Sequence, residues 1–169
     1  MEKAYNIKEI SYREMSEMAF FGAKVFHSKT FIPLENSDID VKVLNTFNTL
    51  QDGTIIKNKS KYISNKKFNS INSINNNVLV TIYGKGMQGT PGISAKLFNC
   101  LYKNNINVTL ITQASSEQTI CFTIDILKKN IVKDLLNIEF DYEIKNGKIK
   151  QISLDDNISI ITIIGEQLN

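Results

Sequence analysis

Two patterns of apolar and polar positions divide the chain. Met15, Met18, Ala19, Gly22 and Phe26 recur at helical spacing behind Ser11-Tyr12-Arg13-Glu14. That tetrapeptide is a capping box, in which the serine hydroxyl and the glutamate close the open amides of a helix start. The pattern predicts a helix from Ser11 to about His27, with Pro33 opening or interrupting a short second one. Val41-Lys42-Val43-Leu44 alternates as a strand does, and Asp52-Gly53 turns the chain into another at Thr54-Ile55-Ile56. Residues 57–76 change character: Lys, Asn and Ser dominate, and isoleucines remain only at Ile63, Ile71 and Ile74. This stretch reads as a linker followed by an edge strand.

Beyond residue 76 the alternation is far more regular. Val78, Val80 and Ile82 alternate with Leu79, Thr81 and Tyr83, which predicts a strand. A glycine-rich turn follows, and Pro91 sits where a first helical turn tolerates its missing N–H. Ile93, Leu97 and Leu101, with Ala95, Phe98 and Cys100, mark an amphipathic helix ending near Asn104-Asn105. Val108, Leu110 and Ile111 predict a second strand, and Ile120, Phe122 and Ile124 a third. Only Ala114 to Glu117 separates the two, so they form an antiparallel hairpin. A second helix is expected over Asn130–Asn137, a hairpin over Glu143–Leu154 turning at Asn146-Gly147, and a further strand over Ile158–Ile164. The order β-α-β-β-α-β is the ferredoxin-like split arrangement, an α+β fold with helices on one face of an antiparallel sheet.

Composition narrows the function classes. With 169 residues, 42% hydrophobic and 22% charged, the chain is an ordinary globular protein. Lys57, Lys59, Lys61, Lys66 and Lys67 are the densest basic group, and no aromatic platform interleaves them. They read as a solvated connector, and no nucleic-acid partner is expected. Cys100 and Cys121 fit no metal or C-x-x-C spacing, and His27 stands alone, so no metal site is expected. Both cysteines read as buried thiols. The chain shows neither a signal peptide nor a long apolar span, which points away from a membrane and toward the cytoplasm.

Gly84-Lys85-Gly86-Met87-Gln88-Gly89 satisfies G-x-G-x-x-G between a strand and a helix, the context of a dinucleotide site. The following strand, Val108 to Gln113, carries no acid for a ribose and then returns as a hairpin, against that reading. Thr90-Pro91 replaces the Lys-Ser/Thr of a P-loop. Phe122 alone, on the core stripe of the third strand, is no base-stacking pair. What remains is backbone able to approach a ligand at a helix start, where open amides and the dipole favour an anion such as a carboxylate. The alternative is a plain strand-to-helix turn. Thr112-Gln113 and Ser115-Ser116-Glu117 supply polar groups for a ligand's other end, or ordinary solvation of a hairpin tip.

VTIYGKGMQGTPGISAKLFNCLYKNNINVTLITQASSEQTICFTID, from Val80 to Asp125, closely resembles the first ACT domain of the aspartokinases. Its glycine turn and LITQ-x-SSE segment look like the bifunctional aspartokinase–homoserine dehydrogenase type. ISYREMSEMAFFGAKVFHSKTFIPL, from Ile10 to Leu34, resembles the last helices of the aspartokinase catalytic domain, although Ser28 stands where the family usually has proline. DVKVLNTFN and DGTII resemble the segment joining kinase to regulatory region. The resemblance implies residues 1–56 as catalytic-domain remnant and connector, 57–76 as linker and edge strand, 77–157 as ACT domain, and 158–169 as the opening strand of a second ACT domain.

The resemblance further implies a parent that phosphorylates the β-carboxylate of aspartate with ATP and Mg, and an ACT region that binds an end-product amino acid. Lys24 and Val25 match the nucleotide-contacting pair. The effector positions carried over are Met87, Gly89, Thr90, Ile93 and Ser94, then Val108 and Thr109, then Gln113 and Glu117. Lysine-sensing relatives look to have an aspartate at the position of Thr109. A neutral residue there, with Gln113 matching a threonine-binding glutamine, favours threonine, with lysine as the alternative. The kinase-start motif K-F-G-G-T-S is absent, so the chain reads as a fragment with no cofactor of its own and no turnover. Pairing of ACT modules implies a homodimer, and the rival reading is a dimerisation module without ligand binding.

Overall fold

The computed structural model describes residues 6–34, 37–48, 50–58 and 67–168. It divides into two compact units, Met1–Ile74 with Ile161–Asn169, and Asn75–Ile160. The first contains β1 (Glu9–Ser11), α1 (Tyr12–Phe20), a 3₁₀ stretch at Ser28–Leu34, β2 (Val41–Val43) and β3 (Thr54–Lys57). β1 runs parallel to β3 and β2 antiparallel to it, in the order β1-β3-β2. Ile10, Tyr12, Met15, Phe31 and Ile56 form its buried apolar cluster.

The capping box forms as the sequence predicts. Ser11 Oγ accepts from Glu14 N at 3.1 Å, and Glu14 Oε2 accepts from Ser11 N at 3.1 Å. The helix behind it is shorter than expected, ending at Phe20 instead of near His27. Gly22 adopts φ +105°, and Ala23 N donates to Met18 O at 2.8 Å, the Schellman stop that a left-handed residue imposes on a helix end. Gly22 fits the helical period and also breaks it, and the backbone geometry prevailed.

In the second unit, β4 (Ser70–Tyr83), α2 (Ile93–Lys103), β5 (Leu110–Gln113), β6 (Thr119–Asp125), α3 (Lys129–Glu139), α4 (Asp141–Lys145) and β7 (Gln151–Ile164) follow in order. The division between units falls inside β4 and β7. The sheet order is β5-β6-β4-β7, with β4–β6 and β5–β6 antiparallel. Lys150 N donates to Tyr83 O at 2.8 Å where β7 begins beside the end of β4. This is the ferredoxin-like βαββαβ fold. Val78, Val80, Ile82, Leu97, Leu101, Ile120, Phe122, Ile124, Val132, Leu136 and Phe140 fill the space between sheet and helices.

The edge strand placed in 57–76 is the first part of β4, a 14-residue strand whose pairing with β6 begins only at Asn77; the linker reading for residues 59–66 lies outside the described residues. Three expectations need correction. The hairpin over Glu143–Leu154 is the end of α4 followed by the start of β7. Gly147, at φ +69°, closes a Schellman stop in which Lys148 N donates to Glu143 O at 2.9 Å. Asn-Gly satisfies a hairpin turn and a helix stop alike, and a five-residue helix is too short to show its period. The strand expected at Ile158–Ile164 is the far half of β7. Cys100 is buried as expected, but Cys121 is only half-buried.

Candidate functional site

The glycine-rich segment crosses from β4 to α2 in a compact path. Gly84 N donates to Gln118 O at 2.9 Å, Met87 N to Gly84 O at 3.0 Å and Thr90 N to Met87 O at 3.0 Å. Thr90 Oγ1 donates to Gly86 O at 2.9 Å. Gly84 is extended, so its requirement is space: a Cβ there would lie 2.1 Å from Lys148 O. Gly92, the residue before α2, is left-handed at φ +93°, and no side chain caps the helix. The first amides of α2 therefore keep their hydrogen-bonding capacity for solvent or a ligand.

Beside this helix start lies a cleft of about 340 Å³. Its apolar lining includes Met87, Ile93 and Ile120, all buried. Gly89, Thr90 and Ser94 from the turn and helix, and Gln113 and Glu117 from the β5–β6 hairpin, add the polar groups. Two hydrogen bonds join turn to hairpin: Gly89 N donates to Glu117 Oε2 at 3.0 Å, and Gln118 Nε2 to Gln88 Oε1 at 3.0 Å. An apolar lining with converging polar groups is the usual make-up of a small-molecule site. One end suits an anion, through the helix amides, and the Gln113 amide offers both a donor and an acceptor.

Seven of the carried-over effector residues meet here: Met87, Gly89, Thr90, Ile93, Ser94, Gln113 and Glu117. Val108 and Thr109 do not line the cleft. Val108 packs against the core, and Thr109 N donates to Thr123 O at 3.0 Å before β5 begins. Lys24 and Val25 belong to the other unit, both exposed in the turn after α1. Pro91, Gly92, Ala95 and Ile120 also line the cleft without having been singled out for a ligand. Ile120 carried a signal, since it opens the apolar stripe of the third strand where that strand leaves the hairpin tip.

Away from the cleft, Lys96 Nζ lies 2.9 Å from both carboxylate oxygens of Glu143 and 5.2 Å from the centre of the Phe140 ring. Burial pushes the Glu143 carboxyl up, but the Lys96 hydrogen bond and neighbouring positive charges outweigh it and hold the group below its ordinary range. Burial, reinforced by the Glu139 charge, raises the Cys100 thiol, which suits a packing role. Among the described residues, no helix is long and apolar enough to cross a membrane.

Residues 80–140 match the family model of the ACT domain. This segment is an ACT domain. Around it the chain is aspartokinase-like throughout. It is 32% identical over 172 residues to the chloroplastic bifunctional aspartokinase/homoserine dehydrogenase 1 of Arabidopsis thaliana, covering 99% of this chain and 19% of that protein. It is 30% identical over 166 residues to the lysine-sensitive aspartokinase 3 of Escherichia coli, covering 98% of this chain and 36% of that one. Among solved structures, the aspartate kinase of Clostridium acetobutylicum superposes with a TM-score of 0.84 over 99% of this chain and 38% of its own, at 19% identity, a likeness of fold alone. Escherichia coli aspartokinase III, in complex with lysine and aspartate, gives a TM-score of 0.72 at 28% identity, covering 98% of this chain and 35% of its own. The chain thus spans about a fifth of the bifunctional relative's length. Its ACT domain carries the cleft described above.

Proposed function

We propose that this chain is the regulatory segment of an aspartokinase, and that its ACT domain binds an end-product amino acid in the cleft between α2 and the β5–β6 hairpin. The observation that carries this reading is the convergence of the uncapped start of α2 with Gln113 and Glu117 around an apolar floor. The α-carboxylate of the effector takes the helix amides, and its side chain faces Gln113. In the parent enzyme ATP and Mg supply and stabilise the phosphoryl group transferred to aspartate, and Lys24 and Val25 contact the nucleotide. Feedback follows if the effector binds the inactive conformation more tightly than the active one. The working form is a homodimer joined through ACT domains, and its compartment is the cytoplasm.

Threonine is the effector we favour. Gln113 lines the cleft, and its amide offers a donor and an acceptor to a hydroxyl. Lysine is the second reading, because the Glu117 carboxylate also lines the cleft, one similar Escherichia coli enzyme is a lysine-sensitive aspartokinase, and aspartokinase III is seen in complex with lysine. Calorimetric titration of the chain with threonine, lysine and methionine separates these readings. Threonine is expected to give saturable heat and, at a hundredfold excess over its Kd, about 2.7 kcal/mol of added stability. Gln113→Ala is expected to weaken threonine binding about tenfold through loss of a buried hydrogen bond. Heat from lysine alone transfers the site to the second reading. Absence of heat and of a thermal shift with all three leaves a dimerisation module.

A further inference from the structure

The glycine turn and the first turn of α2 bound the cleft, and each is tied to residues outside the cleft lining. Gly84 and Gly86 pack directly on the segment between α4 and β7. A Cβ on Gly86 would lie 2.6 Å from Lys148 Cα, and one on Gly84 2.7 Å from Ile149 Cα. Contact that close rests main chain on main chain, which glycine alone allows. Lys148 N and Ile149 N both donate to Glu143 O, at 2.9 and 3.1 Å. Lys96 Nζ donates to both oxygens of the Glu143 carboxylate at 2.9 Å. Lys96 N in turn donates to Gly92 O at 2.8 Å, the bond that opens α2. Gly92 lines the cleft together with Gly89 of the turn. The contacts thus close a circuit, from the turn to Lys148, Glu143 and Lys96, and back through Gly92 to the turn.

We propose that Lys96 and Glu143 are positioning residues for the cleft, a bracket that sets the glycine turn against the start of α2. The inference rests on the ligand reading given above, and it adds two residues that touch no ligand. Every other link in the circuit is made by main-chain atoms, so the ion pair is the link that a substitution can open. The pair is sheltered: its side chains are 33% and 13% exposed, and Lys96 Nζ lies 5.2 Å from the centre of the Phe140 ring. Solvent and salt screen such a pair less than one on an open surface. With five residues, α4 has little helical stability of its own, and its place depends on contacts of this kind. Once the bracket is open, the turn and the helix start sample arrangements in which their polar groups no longer converge. A ligand then binds only the converged fraction, and its apparent affinity falls by that fraction.

Amide exchange and effector titration on the same variants test the bracket. Met87 N and Thr90 N, bonded to Gly84 O and Met87 O, report opening of the turn. In Lys96→Met their exchange is expected to quicken about threefold. Lys96→Arg keeps the charge pair and should stay within about twofold of the wild type. Val132→Ala is a larger loss in the core, yet it should leave both amides at the wild-type rate, because the turn opens locally. For whichever of threonine and lysine binds, Lys96→Met and Glu143→Met should each raise Kd about threefold. The two together should do no more than either, since one broken link opens the circuit. Wild-type exchange at both amides in Lys96→Met overturns the proposal, as does equal quickening in Val132→Ala. A Kd unmoved by Lys96→Met overturns it equally. Quickened exchange with no heat from either amino acid keeps the bracket and removes the ligand reading, so the two ideas fail separately.

Discussion

In the unit Asn75–Ile160, fifteen apolar side chains from Val78 to Ile149 form one buried cluster, and the candidate cleft lies at its surface. In the unit Met1–Ile74 with Ile161–Asn169, a buried glutamate ties separate segments of the chain together. Glu14 is 3% exposed, and its carboxylate accepts from Ser11 N at 3.1 Å, Asn69 Nδ2 at 2.9 Å and Glu166 N at 3.0 Å. Ser11 Oγ in turn donates to Glu166 Oε1 at 2.7 Å. A buried carboxylate is costly unless hydrogen bonds replace its water. Here they come from residues 11, 69 and 166, three segments far apart in sequence. Apolar packing is non-directional and tolerates exchange of like for like, whereas this network accepts a single geometry. The same chain thus uses two kinds of cohesion.

The largest expected effects bear on that contrast. Leu97→Ala should cost about 3 kcal/mol in urea unfolding, and Leu97→Met less than about 1.5 kcal/mol, because volume is what the apolar core needs. Glu14→Ala should also cost about 3 kcal/mol, but here the conservative Glu14→Gln should still cost about 2 kcal/mol. Its amide nitrogen would face hydrogen-bond donors. A silent Glu14→Gln would erase the distinction between the units. Amide exchange at Glu166 and Asn69 reports whether the loss is local to that network.

A further pair of substitutions tests which kind of constraint the glycine turn imposes. Gly84→Ala drives a Cβ to within 2.1 Å of Lys148 O, and about 3 kcal/mol of destabilisation is expected. Gly92→Ala meets nothing within 4 Å and carries only the left-handed penalty of φ +93°, about 1 kcal/mol. Gly92→Asn should recover part of that loss, as asparagine tolerates the left-handed region. Thermal unfolding of the three variants gives the ranking.

The smallest effect is electrostatic. The folded carboxyl of Glu143 lies below its ordinary value of 4.5, so its pairing with Lys96 stabilises the fold above that pH. The contribution falls away as pH drops through the lower folded value. Glu143 is mostly buried and Lys96 a third exposed, so about 0.5 kcal/mol is expected. Comparing urea midpoints at neutral pH and below 4 with those of Lys96→Met checks it, because the variant should lose this part of the pH dependence.

Local patterns carried the ACT segment well. The alternation around Val80 and Phe122, the helical period through Leu97 and the short link from Ala114 to Glu117 appear in β4, β6, α2 and the hairpin. The capping box at Ser11 is likewise a local device, and it formed. Reading failed where one dipeptide serves two geometries, as at Asn146-Gly147, or where a residue fits and breaks a period at once, as at Gly22. For the cleft, the glycine turn pointed to Met87, Gly89 and Thr90. Gly92 and Ile120 joined them only when the helix start and hairpin tip met.

By itself the sequence determined the order of elements, the apolar faces and the glycine turn, because these depend on neighbours within a few residues in the chain. Tertiary structure decided the rest: that Gln113 and Glu117 line a cleft with Ile93 while Thr109 does not, and that a helix-capping glutamate anchors residues 69 and 166. The physical reason is distance along the chain. Periodicity and capping operate over one or two helical turns, whereas a cleft and a buried carboxylate are completed by groups tens of residues away, which only the packed fold brings within hydrogen-bond reach.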